Sequence, residues 1–407
     1  MEEWKEYRLD AICRLSAGGD APHNAVKKPT ADMTVPIYSN GENEKGLYGY
    51  TDSHKIEAPA VTISARGNIG YVCYRKDNFV PIVRLITAKA NEQILSNEFL
   101  YYCLCNTHIW GDGSVQKQLT VPMISEYIVR IPPLNIQSKI VHVLKSLDDK
   151  IEVNRRINDN LEQQAQALFK SWFVDFEPFR DQPFVESELG MIPEGWRVGR
   201  YEEIIETTIS GDWGKEKPEG NYVHKVACIR GCDFQDIKNG LRGNTPERYI
   251  LEKNYQSKHF HHNDVLVEIS GGTQTVSTGR VCPISQLLID KFNADIVCTN
   301  FCRVIRPIAA YAAYLYYSWL YKYNGKVMFG YENGTSGIKN FRIKDFISVE
   351  PVIIPPADLL GKFQQLVDSV QLQIQTRGSE SSRLASLRDT LLPRLMSGEI
   401  KVGDVTL

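Results

Sequence analysis

Apolar residues recur at steps of three and four along about 40 residues that follow an Ile-Pro-Pro triplet, starting RIPPLNIQSKIVHVL at Arg130. The same pattern returns 223 residues later, as IIPPADLLGKFQQLV from Ile353, and the two copies align without a gap. Such steps are typical of one face of a helix and of the a and d positions of a heptad. The sequence therefore predicts two related helices, each roughly 50 Å long at about 1.5 Å per residue.

A single helix cannot bury its own apolar stripe, so we expect the two helices to pack on each other. The predicted seam consists of Ile140, Val143, Leu147, Ile151, Leu161, Leu168, Phe363, Leu366, Val370, Ile374, Leu384 and Leu391. Its middle is polar, with Asn154 and Asn158 in one copy and Arg377 and Ser381 in the other. These residues either fix the register of the pair or are solvent-facing interruptions.

The repeat extends upstream of each helix. FLYYCL at 99–104 resembles YLYYSW at 314–319, and ISARGNIGYV at 63–72 resembles ISGGTQTVSTGRV at 269–281. Short β-rich runs bounded by Gly, Pro, Asn or Asp predict strands, with one helix per domain near 94–108 and 309–323. The fold class is thus α+β, with two mixed α/β domains in tandem repeat, each followed by a long helix. The predicted segments are 1–133, 134–180, 181–356 and 357–407.

Composition limits the number of domains, the compartment and the kinds of partner that this chain can have. With 43% hydrophobic and 24% charged residues, the chain has material for two or three packed domains. The longest apolar tract, Ile308–Tyr323, is shorter than the roughly 20 residues that span a bilayer, so no membrane role is expected. Nine scattered cysteines without a CxxC pair indicate reduced thiols in a cytoplasmic protein. The net charge of −2 requires any nucleic-acid-binding charge to be concentrated on one face.

The sequence contains no GxxxxGK[ST], GxGxxG, GxSxG or HExxH motif, so nucleotide-dependent and common hydrolytic chemistries have no support. The run HFHH, His259–His262, lacks a Cys or acidic partner at ligand spacing and is interpreted as an exposed loop. We therefore expect no catalytic and no metal-binding residues in this chain, which has the features of a binding protein.

The order IPPLNIQSKIVHVLKSLDDKIEVNRRINDNLEQQAQALFKSWFVDFEPF, then a PEGW opening, a second β-rich domain and a second such helix, resembles the specificity subunit of type I restriction-modification enzymes. The resemblance covers essentially the whole chain. It implies two target recognition domains that each read half of a split, asymmetric DNA sequence, and long helices that form an antiparallel coiled coil. The helix length would act as a ruler between half-sites about one helical turn, roughly 34 Å, apart.

The resemblance also implies partners. Two methyltransferase subunits would dock against the helices, and restriction subunits with motor and nuclease activity would join them. S-adenosylmethionine, ATP and Mg²⁺ would be used by those subunits and not by this chain, which would be a non-catalytic part of an adenine-specific methyltransferase and endonuclease complex. One position departs from the family: Gln137 follows the first Pro-Pro junction, whereas Leu360 stands at the second, which questions whether both helix starts make identical partner contacts.

Base readout needs forked donors and acceptors, and Gly-punctuated loops let the backbone approach DNA closely. The candidate DNA-binding residues are Arg66, Asn68, Lys117 and Gln118 in the first domain and Thr273, Gln274, Lys339, Asn340 and Arg342 in the second. The structural alternative is that Arg66 and Arg342 form salt bridges and that Gln118 caps a turn.

Two further readings compete with a DNA specificity subunit. The chain could be a protein-binding coiled-coil scaffold whose globular halves bind no DNA, or a self-sufficient enzyme. Salt-dependent DNA affinity would separate the first alternative, because phosphate neutralisation makes binding fall steeply as salt rises. Incubation of the chain with DNA and a labelled methyl donor would test the second.

Overall fold

The computed structural model describes residues 4–112, 117–334 and 338–404. The chain divides into two compact units: unit 1 consists of Met1–Lys150 with Leu384–Leu407, and unit 2 of Ile151–Arg383. Each unit thus contains one β-rich domain and part of each long helix. The predicted boundaries of the recognition domains stay a prediction, because compactness does not test which segment reads DNA.

Over the described residues that precede the first long helix, unit 1 has nine strands and three short α-helices. The strands are β1 (Lys5–Arg8), β2 (Cys13–Ala17), β3 (Val35–Tyr38), β4 (Leu47–Thr51), β5 (Ala60–Ile63), β6 (Val72–Arg75), β7 (Val80–Pro81), β8 (Ile86–Ala90) and β9 (Ile128–Ile131). The helices are α1 (Leu9–Ile12), α2 (Asn97–Cys105), α3 (Val121–Ser125) and the long α4 (Leu134–Phe173).

A four-stranded antiparallel sheet of order β2-β8-β5-β6 forms the centre of unit 1. A second sheet has the order β4-β3-β7 with β3 and β7 parallel, and β1 pairs with β9 just before the long helix. All four residues of β5 are buried, because β5 lies between two other strands and contacts α2. The Oγ of Ser96 caps α2 by accepting a hydrogen bond from the backbone N–H of Phe99 at 3.1 Å.

In unit 2 the described residues form fourteen strands and five short α-helices. The strands are β10 (Phe184–Ser187), β11 (Gly190–Pro193), β12 (Arg197–Arg200), β13 (Ile205–Ser210), β14 (Tyr222–Ile229), β15 (Glu247–Leu251), β16 (Val265–Glu268), β17 (Ser270–Gly271), β18 (Val281–Pro283), β19 (Asp295–Cys298), β20 (Cys302–Pro307), β21 (Glu332–Asn333), β22 (Lys339–Phe341) and β23 (Pro351–Ile354). The helices are α5 (Phe234–Lys238), α6 (Glu252–Lys258), α7 (Gln286–Ile289), α8 (Ala312–Asn324), α9 (Ile343–Val349) and the long α10 (Ala357–Ser397).

The central sheet of unit 2 has the order β13-β20-β16-β18, and a second sheet has the order β15-β14-β19 with β14 and β19 parallel. The strand β12 pairs with β23 immediately before α10, as β1 pairs with β9 before α4. The central sheet β13-β20-β16-β18 corresponds strand by strand to β2-β8-β5-β6 of unit 1, and the sheet β15-β14-β19 corresponds to β4-β3-β7. A small sheet, β17-β22-β21, and the ribbon β10-β11 in unit 2 have no counterpart among the described residues of unit 1. The predicted helices near 94–108 and 309–323 are α2 and α8.

The two long helices contact each other within each unit. In unit 1 the first part of α4, including Ile140 and Leu147, shares a core with Leu391 and Leu395 near the end of α10. In unit 2 the rings of Phe173 and Phe363 lie 5.1 Å apart, so that the end of α4 meets the start of α10. This burial explains why the helices form, since their apolar stripes are covered in both units.

Most predicted seam positions are buried or partly buried, but the prediction for Leu366 is wrong. Leu366 is 45% exposed, whereas Val367 is 5% exposed and takes the core position. Val367 aligns with Leu144, which is fully buried in the first helix, so both helices bury this position and the first helix buries Val143 in addition. Transfer of the spacing from Val143 therefore selected the wrong neighbour. The remaining predicted positions are buried (Ile140, Val143, Leu147, Phe363, Ile374, Leu391) or partly buried (Ile151, Leu161, Leu168, Val370, Leu384).

The polar middle of the seam is buried, not solvent-facing, at both asparagines. Asn154 donates its side-chain amide to Glu380 Oε2 at 2.8 Å and to Ser381 Oγ at 3.3 Å. Asn158 donates to the backbone oxygens of Ile374 at 3.2 Å and Asn239 at 3.1 Å. These directional bonds favour one register of the helix segments in unit 2 over a slipped one.

The departure at Gln137 and Leu360 has a structural cause. Gln137 is fully buried: its Oε1 accepts from the N–H of Ser96, and its Nε2 donates to the carbonyls of Ile94 and Pro132. In unit 2 a glutamine also bonds the start of the short helix α8, because Gln364 Oε1 accepts from the N–H of Ala313 at 2.8 Å. The glutamine has thus moved by one helical turn, and both side chains bond within their own unit.

Candidate nucleic-acid interface

In unit 1 the Gly-rich loop at residues 64–71 connects β5 and β6. Its backbone closes on itself, with Ser64 N–H donating to Tyr71 O at 2.9 Å and Gly70 N–H donating to Ser64 O at 3.0 Å. Gly67 and Gly70 have φ of +67° and +85°, a region that favours glycine. The tight turn leaves Arg66 and Asn68 exposed at its tip.

The structure brings two of the predicted residues together. The Nη2 and Nε atoms of Arg66 donate to Gln118 Oε1 at 3.0 and 3.3 Å, so Arg66 bonds an amide and the predicted alternative of a salt bridge does not describe it. This geometry occupies the acceptor of Gln118 and leaves N–H donors on both side chains. With Lys117 exposed beside them, the edge offers donors suited to phosphate oxygens or to the acceptors of guanine.

Sequence reasoning missed the residue that positions this loop. Asn40 Oδ1 accepts from the N–H of Ala65 at 2.7 Å, and its Nδ2 donates to Val83 O at 2.6 Å. Asn40 therefore ties the loop to the turn between β7 and β8, where Val83 and Arg84 are exposed and have φ of +52° and +64°. A lone asparagine carries no sequence signal, because the segments it joins are more than 20 residues away.

In unit 2 the corresponding loop begins at β17 and runs to residue 280. Thr273 organises a turn: its Oγ1 accepts from the N–H groups of Thr275 at 3.2 Å and Val276 at 3.0 Å, and its own N–H donates to Val276 O at 2.7 Å. Thr273 thus shapes the loop, while Gln274 is exposed at its tip.

Lys339 lies in β22 opposite Gly271 and forms an ion pair with Glu332, with Nζ and Oε2 2.8 Å apart. Burial acts to raise the pKa of Glu332, but hydrogen bonds from Lys339 and from the N–H and hydroxyl of Thr278 outweigh it and hold that pKa below its ordinary value. The carboxylate stays ionised and neutralises the lysine. The free charge at Lys339 is therefore smaller than the sequence suggested.

Asn340 pairs with Ser270 across β17 and β22, and Ser270 Oγ donates to Asn340 Oδ1. Arg342 donates to Asp345 Oδ2 at 2.6 Å and to Gly330 O at 3.0 Å, as the structural alternative for this residue expected, although its side chain is 43% exposed. Backbone pairing thus brings Lys339 and Asn340 against the first residues of the Gly-rich loop. The DNA contacts of all nine candidates stay predictions.

Among the described residues there is no group of three or more His, Cys, Asp or Glu side chains placed to hold a metal ion. In the HFHH run, His259 Nε2 and His261 Nε2 are 3.0 Å apart, and burial, followed by the nearby charge of Arg306, lowers the pKa of His261. Over the same described part of the chain, no helix is both long and apolar enough to cross a bilayer.

Comparison with known proteins adds sequence and fold similarity to this geometry. The model of the type I restriction modification DNA specificity domain matches residues 1–163. The chain is 28% identical to the type I restriction enzyme MjaIX specificity subunit of Methanocaldococcus jannaschii, over 99% of this chain and 95% of that protein. It is 35% identical to the C-terminus of S.MpnORF289P, a putative type I specificity subunit of Mycoplasma pneumoniae, over 24% of this chain and 67% of that protein.

A solved structure shares the fold. The type I restriction-modification system S subunit from M. genitalium superposes with a TM-score of 0.53 at 16% identity, and the match covers 97% of this chain and 96% of that one.

Proposed function

Because the chain belongs to the family of type I restriction-modification DNA specificity subunits, we propose that it selects the DNA target of a type I complex. Its two β-rich domains are tandem target recognition domains, and each binds one half of a split, asymmetric sequence in double-stranded DNA. The observation that carries this proposal is that both units place a Gly-rich loop with exposed polar residues after the same strand of the same central sheet order, after β5 in one and β16 in the other.

The long helices form an antiparallel coiled coil in this proposal. Support comes from the contacts of unit 2, where partners on α10 move toward its start as positions on α4 move toward its end. Asn154 bonds Ser381, Asn158 bonds Ile374, and Phe173 contacts Phe363. In unit 1 the Nη1 of Arg388, near the end of α10, donates to Asp148 Oδ1 in the first half of α4 at 2.7 Å. The length of the coil sets the spacer of the target, so matched insertions of about four residues in both helices should lengthen it.

The helices dock two methyltransferase subunits, which restriction subunits with motor and nuclease activity join. S-adenosylmethionine, ATP and Mg²⁺ act in those partners, and adenine is the methylated base. This chain contributes binding and spacing without catalysis, in the cytoplasm. Support for this division of labour is the absence of nucleotide-binding and hydrolytic motifs from the sequence.

Methylation mapping tests the proposal directly. DNA from cells that carry the chain with its methyltransferase partners should be methylated at one split motif, and cells without the chain should lack that methylation. Arg66→Ala should weaken selection of one half of the motif and leave the other half unchanged. A matched control is Arg8→Ala, because Arg8 lies in β1 and pairs with Asp10. A continuous motif, or equal effects of both variants, would contradict the assignment.

A protein-binding scaffold without DNA affinity remains the alternative function. The purified complex should bind its target with an affinity that falls linearly on a log–log plot against salt, with a slope near −0.9 for each phosphate neutralised. Affinity that is absent, or independent of salt, would favour the scaffold.

A further inference from the structure

The turn between β19 and β20 exposes an aromatic ring. All 15 phenylalanines lie in the described ranges, and Phe301 alone among them is exposed, at 59%. Its neighbour Asn300 is also exposed. A single exposed apolar side chain is common on protein surfaces and indicates no function by itself, so the backbone support and the position of this ring are the informative features.

The backbone under this ring is held tightly. The carbonyl of Phe301 accepts from the N–H of Ile269 at 2.8 Å, and the N–H of Phe301 donates to Thr299 Oγ1 at 3.2 Å. Thr299 is buried and donates its own N–H to Ile229 O at 3.0 Å. A β-carbon on Gly211 would lie 1.9 Å from Thr299 O, which shows how closely a neighbouring segment covers the turn. The ring is therefore presented on a fixed support.

The position of the turn places the ring beside the candidate DNA-binding residues of unit 2. The carbonyl of Phe301 also accepts from the N–H of Ser270 at 3.3 Å, and Ser270 pairs with Asn340 across β17 and β22. Phe301, Ser270 and Asn340 thus follow one another across adjacent backbone segments. In unit 1 the equivalent turn, between β7 and β8, exposes Val83 at 47% beside the Gly-rich loop, to which Asn40 ties it.

We propose that Asn300 and Phe301 are specificity residues that read an A·T pair in the half-site bound by unit 2, an inference that rests on the proposed function. The asparagine amide has the donor and acceptor that match N7 and N6–H₂ of adenine in the major groove. The phenylalanine ring makes an apolar contact with the C5-methyl group of thymine, the one apolar feature that the major groove presents. The nearby candidates Gln274, Lys339 and Asn340 offer hydrogen-bonding groups, whereas the ring of Phe301 supplies an apolar surface that can contact this methyl group.

The test uses the full chain in complex with its methyltransferase partners and a duplex carrying the motif found by methylation mapping. Two further duplexes replace every thymine of one or the other half-site by deoxyuridine, which lacks the C5-methyl group. Affinity is measured at one fixed salt concentration for the wild type, Phe301→Ala, Asn300→Ala and the control Val223→Ala, whose side chain is 62% exposed in β14. Thermal melting of each variant checks that the fold is retained.

One of the deoxyuridine duplexes should bind the wild type about tenfold more weakly, and Phe301→Ala should weaken binding to the thymine duplex by a similar factor. The two losses should not add, because both remove the same contact. Asn300→Ala should weaken binding to the thymine and deoxyuridine duplexes by the same factor, because adenine keeps its N7 and N6–H₂ groups in both. Val223→Ala should change binding to none of the duplexes.

Additive losses, no effect of either deoxyuridine duplex, or a motif in which neither half-site contains an A·T pair would overturn the inference and leave the proposed function in place. A wild-type complex without preference for the mapped motif would instead overturn the proposed function, and this inference with it.

Discussion

Replacement of Gly378 by alanine tests the close backbone contact between the long helix α10 and the segment at Gly240 in unit 2. Gly378 lies inside α10, where alanine is normally preferred by about 1 kcal/mol. A β-carbon at this position would, however, lie 2.2 Å from the carbonyl oxygen of Gly240 and 2.6 Å from its α-carbon. The atoms of Gly240 in this contact all belong to the backbone, so no side chain can rotate away. Gly240 also has a φ of +74°, which favours glycine at this position.

The clash forces the segment at Gly240 to move by roughly 1 Å, since non-bonded carbon and oxygen atoms need more than about 3 Å. That movement breaks contacts on both sides of the glycine. The ammonium group of Lys291 donates to Gly240 O at 2.7 Å, and Asn158 donates to Asn239 O at 3.1 Å. A charged and a neutral hydrogen bond together contribute about 2–4 kcal/mol. After the gain in helix propensity, Gly378→Ala should lower the free energy of unfolding by about 1–3 kcal/mol.

Gly361→Ala is the matched control, because Gly361 lies in the same helix and a β-carbon there would meet nothing within 4 Å. The same substitution should there raise the free energy of unfolding by up to about 1 kcal/mol. Urea unfolding followed by circular dichroism measures both values, and the slope of the transition shows whether the denatured state has changed. Equal and positive shifts for the two variants would refute the reasoning, because they would mean that helix propensity alone decides the outcome.

Two other substitutions address buried polar groups. Gln137→Leu introduces the residue that stands after the second Pro-Pro junction. It should lower the free energy of unfolding of unit 1 by about 2–4 kcal/mol, because the N–H of Ser96 and two carbonyls lose their partners. The control Gln163→Leu, on the exposed face of α4, should change the free energy measured by urea unfolding by less than about 0.5 kcal/mol. Burial lowers the pKa of Lys291 to about 8, whereas the pKa of an unfolded lysine is near 10.4. Between these two pH values the unfolded chain binds more protons than the folded chain, so the free energy of unfolding rises with pH. The difference in unfolding free energy between the wild type and Lys291→Met should therefore grow from pH 8 to pH 10, and a constant difference would show that the lysine is not shifted.

The repeated Ile-Pro-Pro junction and the three-and-four spacing after it were enough to predict both long helices. An apolar stripe with this spacing lies on one face of a helix, where it can be buried against a neighbouring element. The upstream repeat likewise predicted the two short core helices and several strands. Transfer of one copy's spacing to the other failed at Leu366, where Val367 is buried instead. The aligned residues Leu144 and Val367 are both buried, but only the first helix also buries the preceding residue, because the width of the buried face depends on what packs against each helix.

The candidate interface shows the same division more sharply. Gly-punctuated loops marked the regions that hold Arg66 and Gln274, because glycine requirements are local to the chain. The bond between Arg66 and Gln118 and the neutralisation of Lys339 by Glu332 join residues that are not neighbours in the sequence. Charge available to a ligand depends on such pairings.

The sequence by itself determined the repeat, the helices and the places of the Gly-rich loops, since these follow from periodicity and from residues that act on their own backbone. Only the tertiary structure decided which polar groups are already bonded and which are presented to solvent. It also revealed the glycine contact between Gly240 and Gly378 and the exposed ring of Phe301. The physical reason is that hydrogen bonds, burial and close approach are properties of pairs of atoms in space, and most of the partners here are far apart along the chain.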